Sequence, residues 1–134
     1  MPAENITLSA KWNAVDYAIT YVLNGGTNHP TNPLSYNIES GNIALGDPSG
    51  KVGYIFEGWY TEAVFTNKVE GIAIAAGVTG AKTFYAKWIP NTYTVILNKN
   101  TGDGTTSINQ GFTYDEASKT LTANTFNRDG YTFA

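Results

Sequence analysis

The chain has 134 residues, of which 42% are hydrophobic and 14% charged, with a formal net charge of −3. That length suits one ordinary domain or two small ones. The charge is too sparse for a nucleic-acid partner, because phosphate contacts come from clustered Lys and Arg and Arg128 is the only arginine. No apolar run is long enough to cross a membrane, and the absence of cysteine excludes disulfides, thiolate catalysis and cysteine metal sites.

The vocabulary is that of short strands joined by turns. Aromatics make up 13% of the chain, with nine Tyr, and there are 14 Gly. Thr, Tyr, Phe and Val suit a pleated surface, whereas Gly, Asn and Asp punctuate it. The first element is ITLSAKW, residues 6–12, where Ile6, Leu8, Ala10 and Trp12 alternate with Thr7, Ser9 and Lys11. That period of two predicts a strand. AITYVLN, residues 18–24, predicts a second strand, closed by the turn dipeptide Asn24-Gly25. Pro30, Pro33 and Pro48 then mark loops.

YIFEGWY, residues 54–60, is apolar on most of both faces, which predicts a central strand. TEAVFTNKV, residues 61–69, is the one helix candidate, with Thr61 as its cap. IAIAAG, residues 72–77, reads equally as a short strand or an irregular crossing. TFYAKW, residues 83–88, predicts a strand with Phe84, Ala86 and Trp88 on one face and Tyr85 and Lys87 on the other. YTVILN, residues 93–98, predicts another strand. Asp103-Gly104 predicts a turn after it.

Three landmarks recur in the same order. Ala-Lys-Trp ends at Trp12 and again at Trp88, 76 positions on; the strand ending at Asn24 recurs at Asn98, 74 positions on; and GYIF at Gly53 recurs as GYTF at Gly130, 77 positions on. The chain is therefore a repeat array with a period of about 76 residues. Residues 1–12 read as the C-terminal strand of a preceding truncated repeat. Residues 13–89 read as one complete repeat, and residues 90–134 as the N-terminal part of a following one.

The order YVLNGGT, YNIESGNIAL, GYIFEGWY, KTFYAKW resembles the Listeria–Bacteroides repeat, a module of bacterial surface proteins related to the B-repeat of internalin B. The match rests on Gly53, Tyr54, Phe56, Gly58 and Trp59 for the box and on Ala86, Lys87 and Trp88 for the ending. The resemblance implies a mainly β, α+β fold of β-grasp-like type: tandem small mixed sheets with at most a short helix or turn per repeat. It also implies secreted or wall-anchored bacterial proteins, in which such arrays act as spacers or adhesive stalks and carry no catalytic residues. The third copy departs from the pattern, since Asn24-Gly25-Gly26-Thr27 becomes Asn98-Lys99-Asn100-Thr101-Gly102.

Residues with chemical potential are few. His29 is the only histidine and sits in a Pro-rich loop without sequence-near ligands. Asp115-Glu116 is the only adjacent carboxylate pair, and neighbouring strand residues point to opposite faces. A pair from Glu39, Glu57 and Glu62 has no local motif behind it. NKNTGDGTT, residues 98–106, has one carboxylate, Asp103, which is too few for a calcium loop. Asn24-Gly25-Gly26 opens no helix and cradles no phosphate.

Trp12, Trp59 and Trp88 are either core residues or a platform for sugar rings. Their fixed places in the repeat favour core, where each ring buries roughly 150–250 Å².

The reading is a non-enzymatic, extracellular stalk or spacer repeat with no catalytic, cofactor or metal site and no nucleic-acid or membrane partner. The alternative is a carbohydrate- or protein-binding module working through exposed aromatics or a sheet edge. The expected partners are neighbouring repeats, an unidentified host or cell-wall glycan or protein, and a second copy of the fragment in weak head-to-tail association. The short linkers NAVDY and IPNT predict a semi-rigid string of beads.

Overall fold

The computed structural model describes residues 5–100 and 107–133. These contain eight strands: β1 (Tyr17–Val22), β2 (Ser35–Tyr36), β3 (Ile43–Ala44), β4 (Tyr54–Tyr60), β5 (Ile72–Ile74), β6 (Lys82–Pro90), β7 (Thr92–Asn98) and β8 (Ser107–Thr113). No helix occurs among the described residues. The described chain divides into two units. One comprises the residues up to Gly50 together with Phe56–Lys87; the other comprises Lys51–Ile55 and the residues from Trp88 on.

The main sheet has the strand order β2-β1-β6-β4. β1 lies antiparallel to β2, with Tyr17 opposite Tyr36. It lies parallel to β6, with Ile19 opposite Lys82 and Val22 opposite Tyr85. A parallel pair needs a long crossover, and residues 23–81 supply it. Within that crossover β3 and β5 form a separate antiparallel ribbon with a bulge between Ile43 and Ala44. The ambiguous 72–77 stretch is therefore a strand at Ile72–Ile74.

The core of the first unit is Ile19, Tyr36, Trp59, Tyr60, Ile74, Phe84 and Ala86. The alternation in TFYAKW works as the sequence predicts. Phe84 and Ala86 are buried while Thr83 is exposed, and Trp88 is half-buried. Phe84, 2% exposed, stacks on Tyr21 across the β1–β6 pair at a ring distance of 6.3 Å. Asn24 ties the end of β1 to the same strand, donating from Nδ2 to the Ala86 carbonyl at 2.8 Å.

Three expectations need correction. First, 54–60 is not a central strand, because β4 stands at the end of the sheet order. Its apolar outer half is covered by the returning chain. The Val69 N–H donates to the Trp59 carbonyl at 2.8 Å, and Thr61 N–H donates to the Asn67 carbonyl at 3.2 Å. Covering an edge with a loop blunts its exposed ladder groups as well as a neighbouring strand does.

Second, 61–69 is a turn rather than a helix. The Glu62 carboxylate accepts bonds from the Thr61 hydroxyl, the Thr66 N–H and hydroxyl, and the Asn67 N–H. One side chain thus satisfies the backbone groups that a helix would have paired. Third, 6–12 forms no strand and is exposed throughout. Alternation fixes which face a side chain takes, but the backbone still needs a partner strand, and none lies beside it among the described residues.

The second unit is built on the β7–β8 hairpin, antiparallel from Thr92 opposite Thr113 to Asn98 opposite Ser107. Among the described residues this sheet has only those two strands. Tyr114 N–H donates to the Asn91 carbonyl, and Asn91 N–H to the Gly53 carbonyl, both at 2.8 Å. The turn expected at Asp103-Gly104, and most of the 98–106 loop weighed for calcium, lie outside the described residues.

The internal repeat is visible as one turn made twice. In Lys51-Val52-Gly53-Tyr54, the Tyr54 N–H returns to the Lys51 carbonyl, and in Arg128-Asp129-Gly130-Tyr131, Tyr131 returns to Arg128. The two glycines have φ of 78° and 79°. In both copies the cation at the start of the turn lies over the tyrosine ring, Lys51 at 4.0 Å and Arg128 at 3.9 Å from the ring centre.

Candidate functional site

The box GYIFEGWY carries the densest chemistry of the chain. Its two glycines are required for different reasons. Gly53 has a left-handed φ, and a Cβ there would stand 2.4 Å from the Tyr114 ring. That ring also packs edge-on against Tyr54, with centroids 5.5 Å apart. Gly58 has φ 155°, and a Cβ there would stand 2.4 Å from Lys68 Cε.

Regular alternation puts Glu57 and Tyr60 on opposite faces, yet the Tyr60 hydroxyl donates to Glu57 Oε2 at 2.6 Å. Lys68 and Lys87 flank the same carboxylate at 3.4 and 3.6 Å. The Tyr60 hydroxyl bond is the leading cause that holds the Glu57 carboxyl below its ordinary range, with Lys68 and Lys87 adding to it against a desolvation that opposes. The same bond raises the Tyr60 phenol. At neutral pH Glu57 is therefore a fixed anion and Tyr60 a fixed donor. Neither is poised to exchange a proton, which a general acid or base must do near its operating pH.

Beside this network a cleft of about 410 Å³ is lined by Asp47, Phe56, Glu57, Trp59 and Lys68, among others. Trp59 contributes little to its surface, being 4% exposed. Its ring packs against Tyr21 at 5.5 Å and Phe56 at 5.6 Å, and its indole N–H donates to the Gly46 carbonyl at 3.1 Å. Trp59 is core, with its one polar atom satisfied inside. Trp12 is the opposite case at 89% exposure.

The structure keeps the other sequence-flagged groups apart. His29 sits half-buried in its loop, where Nδ1 is within 2.8 Å of the Thr31 hydroxyl and the ring packs against Gly46. Asp115 accepts the Tyr54 hydroxyl at 2.8 Å, whereas Glu116 pairs with Lys119 at 3.5 Å. Glu62 is committed to its turn, which lowers its pKa from 4.5 to about 2, chiefly through the hydrogen bond from Thr61. Among the described residues no three His, Asp or Glu side chains gather as a metal site.

Asn32 was missed by sequence reasoning. It is buried, and its amide bridges Asn28 Oδ1 at 2.8 Å, the Gly46 carbonyl at 3.0 Å and the Gly46 N–H at 2.7 Å. The Asn-Pro step in a loop was the available signal.

What these elements define is a small mixed-sheet repeat in which Trp59, Tyr60 and Phe84 are core residues. The chain matches the Listeria–Bacteroides repeat domain over residues 17–87 and again over 93–134, and it belongs to that family. Two relatives come from Evansella cellulosilytica. A protein named "Putative membrane protein" is 31% identical, the match covering 98% of this chain and 19% of the relative. A protein named "Putative Gly-rich membrane protein" is 30% identical, with 82% of this chain and 12% of the relative covered. The chain thus spans less than a fifth of the length of these relatives. No solved structure matches it significantly.

Proposed function

We propose that the chain is a non-enzymatic spacer segment of a bacterial surface protein, one stretch of an adhesin-like stalk that carries another domain away from the cell. The observation that carries this reading is the burial of Trp59. The family's box tryptophan is used to close the core, which each unit of a stalk must do for itself. The repeated Gly53 and Gly130 turn supports it further, because a tandem spacer needs the same packing in every copy. A β-grasp-like unit is supported by the strand order β2-β1-β6-β4 around a parallel β1–β6 pair. Extracellular display is supported by the family's occurrence in surface proteins and by the names of the relatives, whose far longer chains leave room for an anchor and a distal domain.

The alternative, a glycan-binding module, is favoured by one observation, the exposure of Trp12. A glycan panel followed by tryptophan fluorescence and calorimetry separates the two readings. The spacer reading expects no saturable binding. Saturable binding lost in Trp12→Ala would establish the alternative.

A further inference from the structure

We propose that the Gly53-Tyr54 turn is the joint between successive repeats. The box of one repeat is built into the fold of the following repeat, and it couples the unfolding of the two. By sequence, residues 51–55 belong to the repeat matched over 17–87. In the structure, Lys51–Ile55 belongs instead to the compact unit that resumes at Trp88. β4 runs on from Tyr54 to Tyr60. The strand that carries Tyr54 into the second unit therefore also carries Trp59 into the core of the first.

Contacts of three kinds hold the turn in the second unit. One is a backbone relay through Asn91, which lies between the two matched repeats. Asn91 donates its N–H to the Gly53 carbonyl and accepts the Tyr114 N–H at its own carbonyl, each at 2.8 Å. Another is aromatic. Tyr54 meets Tyr114 edge-on, with centroids 5.5 Å apart and planes at 75°, a favoured geometry for a ring pair. The last is polar. The Tyr54 hydroxyl donates to Asp115 Oδ2 at 2.8 Å. Asp115 itself sits at φ 60°, a left-handed conformation that Asp tolerates better than most residues. Its turn is closed by the Glu116 N–H, which donates to the Thr113 carbonyl at 3.1 Å.

Gly53 then has a reason outside its own repeat. A Cβ there would stand 2.4 Å from the Tyr114 ring, so the space that the glycine leaves is used by a residue of the following repeat. The turn recurs at Arg128–Tyr131 with nearly the same glycine φ and a cation over the tyrosine ring. The joint element is thus present in each copy of the box. The stability of a tandem array is a sum of each unit's own term and terms between nearest neighbours. The contacts of Gly53 and Tyr54 supply a neighbour term. This inference holds whether the array serves as a spacer or as a binding module.

The test is a double-mutant cycle in the whole chain carrying Trp12→Phe and Trp88→Phe, so that urea unfolding is read from Trp59 alone. Tyr114→Ala, a change in the second repeat, is expected to raise the unfolding equilibrium constant reported by Trp59 by about fivefold or more. Thr94→Ala, at an exposed position of β7 in the same repeat, is expected to leave it within about twofold. In a Tyr54→Ala background Tyr114→Ala is expected to do much less, because its partner is gone. Where the alanine variants do not fold, Tyr54→Phe and Asp115→Gly make the milder cycle. Glycine keeps the left-handed φ and removes only the carboxylate, and the two changes are expected to be non-additive by about twofold or more. No shift at Trp59 from Tyr114→Ala would mean that the repeats unfold independently. Additive effects in the cycle would mean that any coupling bypasses this turn. Either result would overturn the proposal.

Discussion

Truncating Phe84 to alanine removes the side chain on which the β1–β6 pair closes. Phe84 is the largest fully buried side chain of the described residues, and it stacks on Tyr21. Phe→Ala in a packed core costs about 3–5 kcal/mol, from lost transfer energy and the cavity left behind. A unit of this size has a total stability of roughly 4–11 kcal/mol at about 0.05–0.15 kcal/mol per residue. The variant is therefore expected to lose about a quarter or more of its stability and to be partly unfolded at moderate temperature. Thr83→Ala, on the exposed face of the same strand, is the control and should stay within about 0.5 kcal/mol of the parent. Urea unfolding, followed by the fluorescence of buried Trp59, reads both. If Phe84→Ala lowers stability by less than about 1 kcal/mol, close to Thr83→Ala, the β1–β6 seam is not the core and the argument from burial fails.

Other expectations follow from the turns and the buried polar groups. The pKa of Glu62, lowered from 4.5 to about 2, makes a stabilising contribution that is fully present above about pH 4.5. It is lost as the pH falls toward 2. Urea midpoints taken between pH 5 and 2 should fall more steeply for the parent than for Glu62→Gln. Gly53→Ala combines a left-handed φ with a collision against the Tyr114 ring and should cost more than about 1 kcal/mol in thermal unfolding. Gly41→Ala, with open space around it, should be neutral or gain up to about 1 kcal/mol. Asn32→Ala strands the Gly46 N–H, while the Gly46 carbonyl keeps the Trp59 indole donor, and should cost about 1–3 kcal/mol by urea denaturation.

Much of the fold was legible because the strands obey local rules. The alternation in TFYAKW placed Phe84 and Ala86 inside without knowledge of any partner, and the repeated landmarks aligned two turns that share a backbone conformation. What was not legible depended on contacts distant in sequence. A doubly apolar run such as 54–60 reads as central, yet its outer half is covered by a loop that no periodicity describes. The 61–69 stretch has helix-compatible residues, but Glu62 captures its own neighbours' hydroxyl and amide groups and fixes a turn. Alternation at 6–12 specified a face and could not supply a strand to pair with. At the site, the glycine positions of the box were visible, but the reach of Lys68 across Gly58 to Glu57 was not. That pairing depends on the absence of a side chain at Gly58 and on a residue ten positions further along.

The most direct test of the central claim, that the box tryptophan builds the repeat instead of receiving a ligand, is iodide quenching of the tryptophan fluorescence. It is done on the parent and on Trp12→Phe and Trp88→Phe variants. The account predicts that Trp59 emits at short wavelength and is protected, whereas Trp12 emits like a solvated indole and is readily quenched. A Trp59 quenched as readily as Trp12 in the folded chain would contradict it, because a tryptophan open to iodide cannot be the one that closes the core.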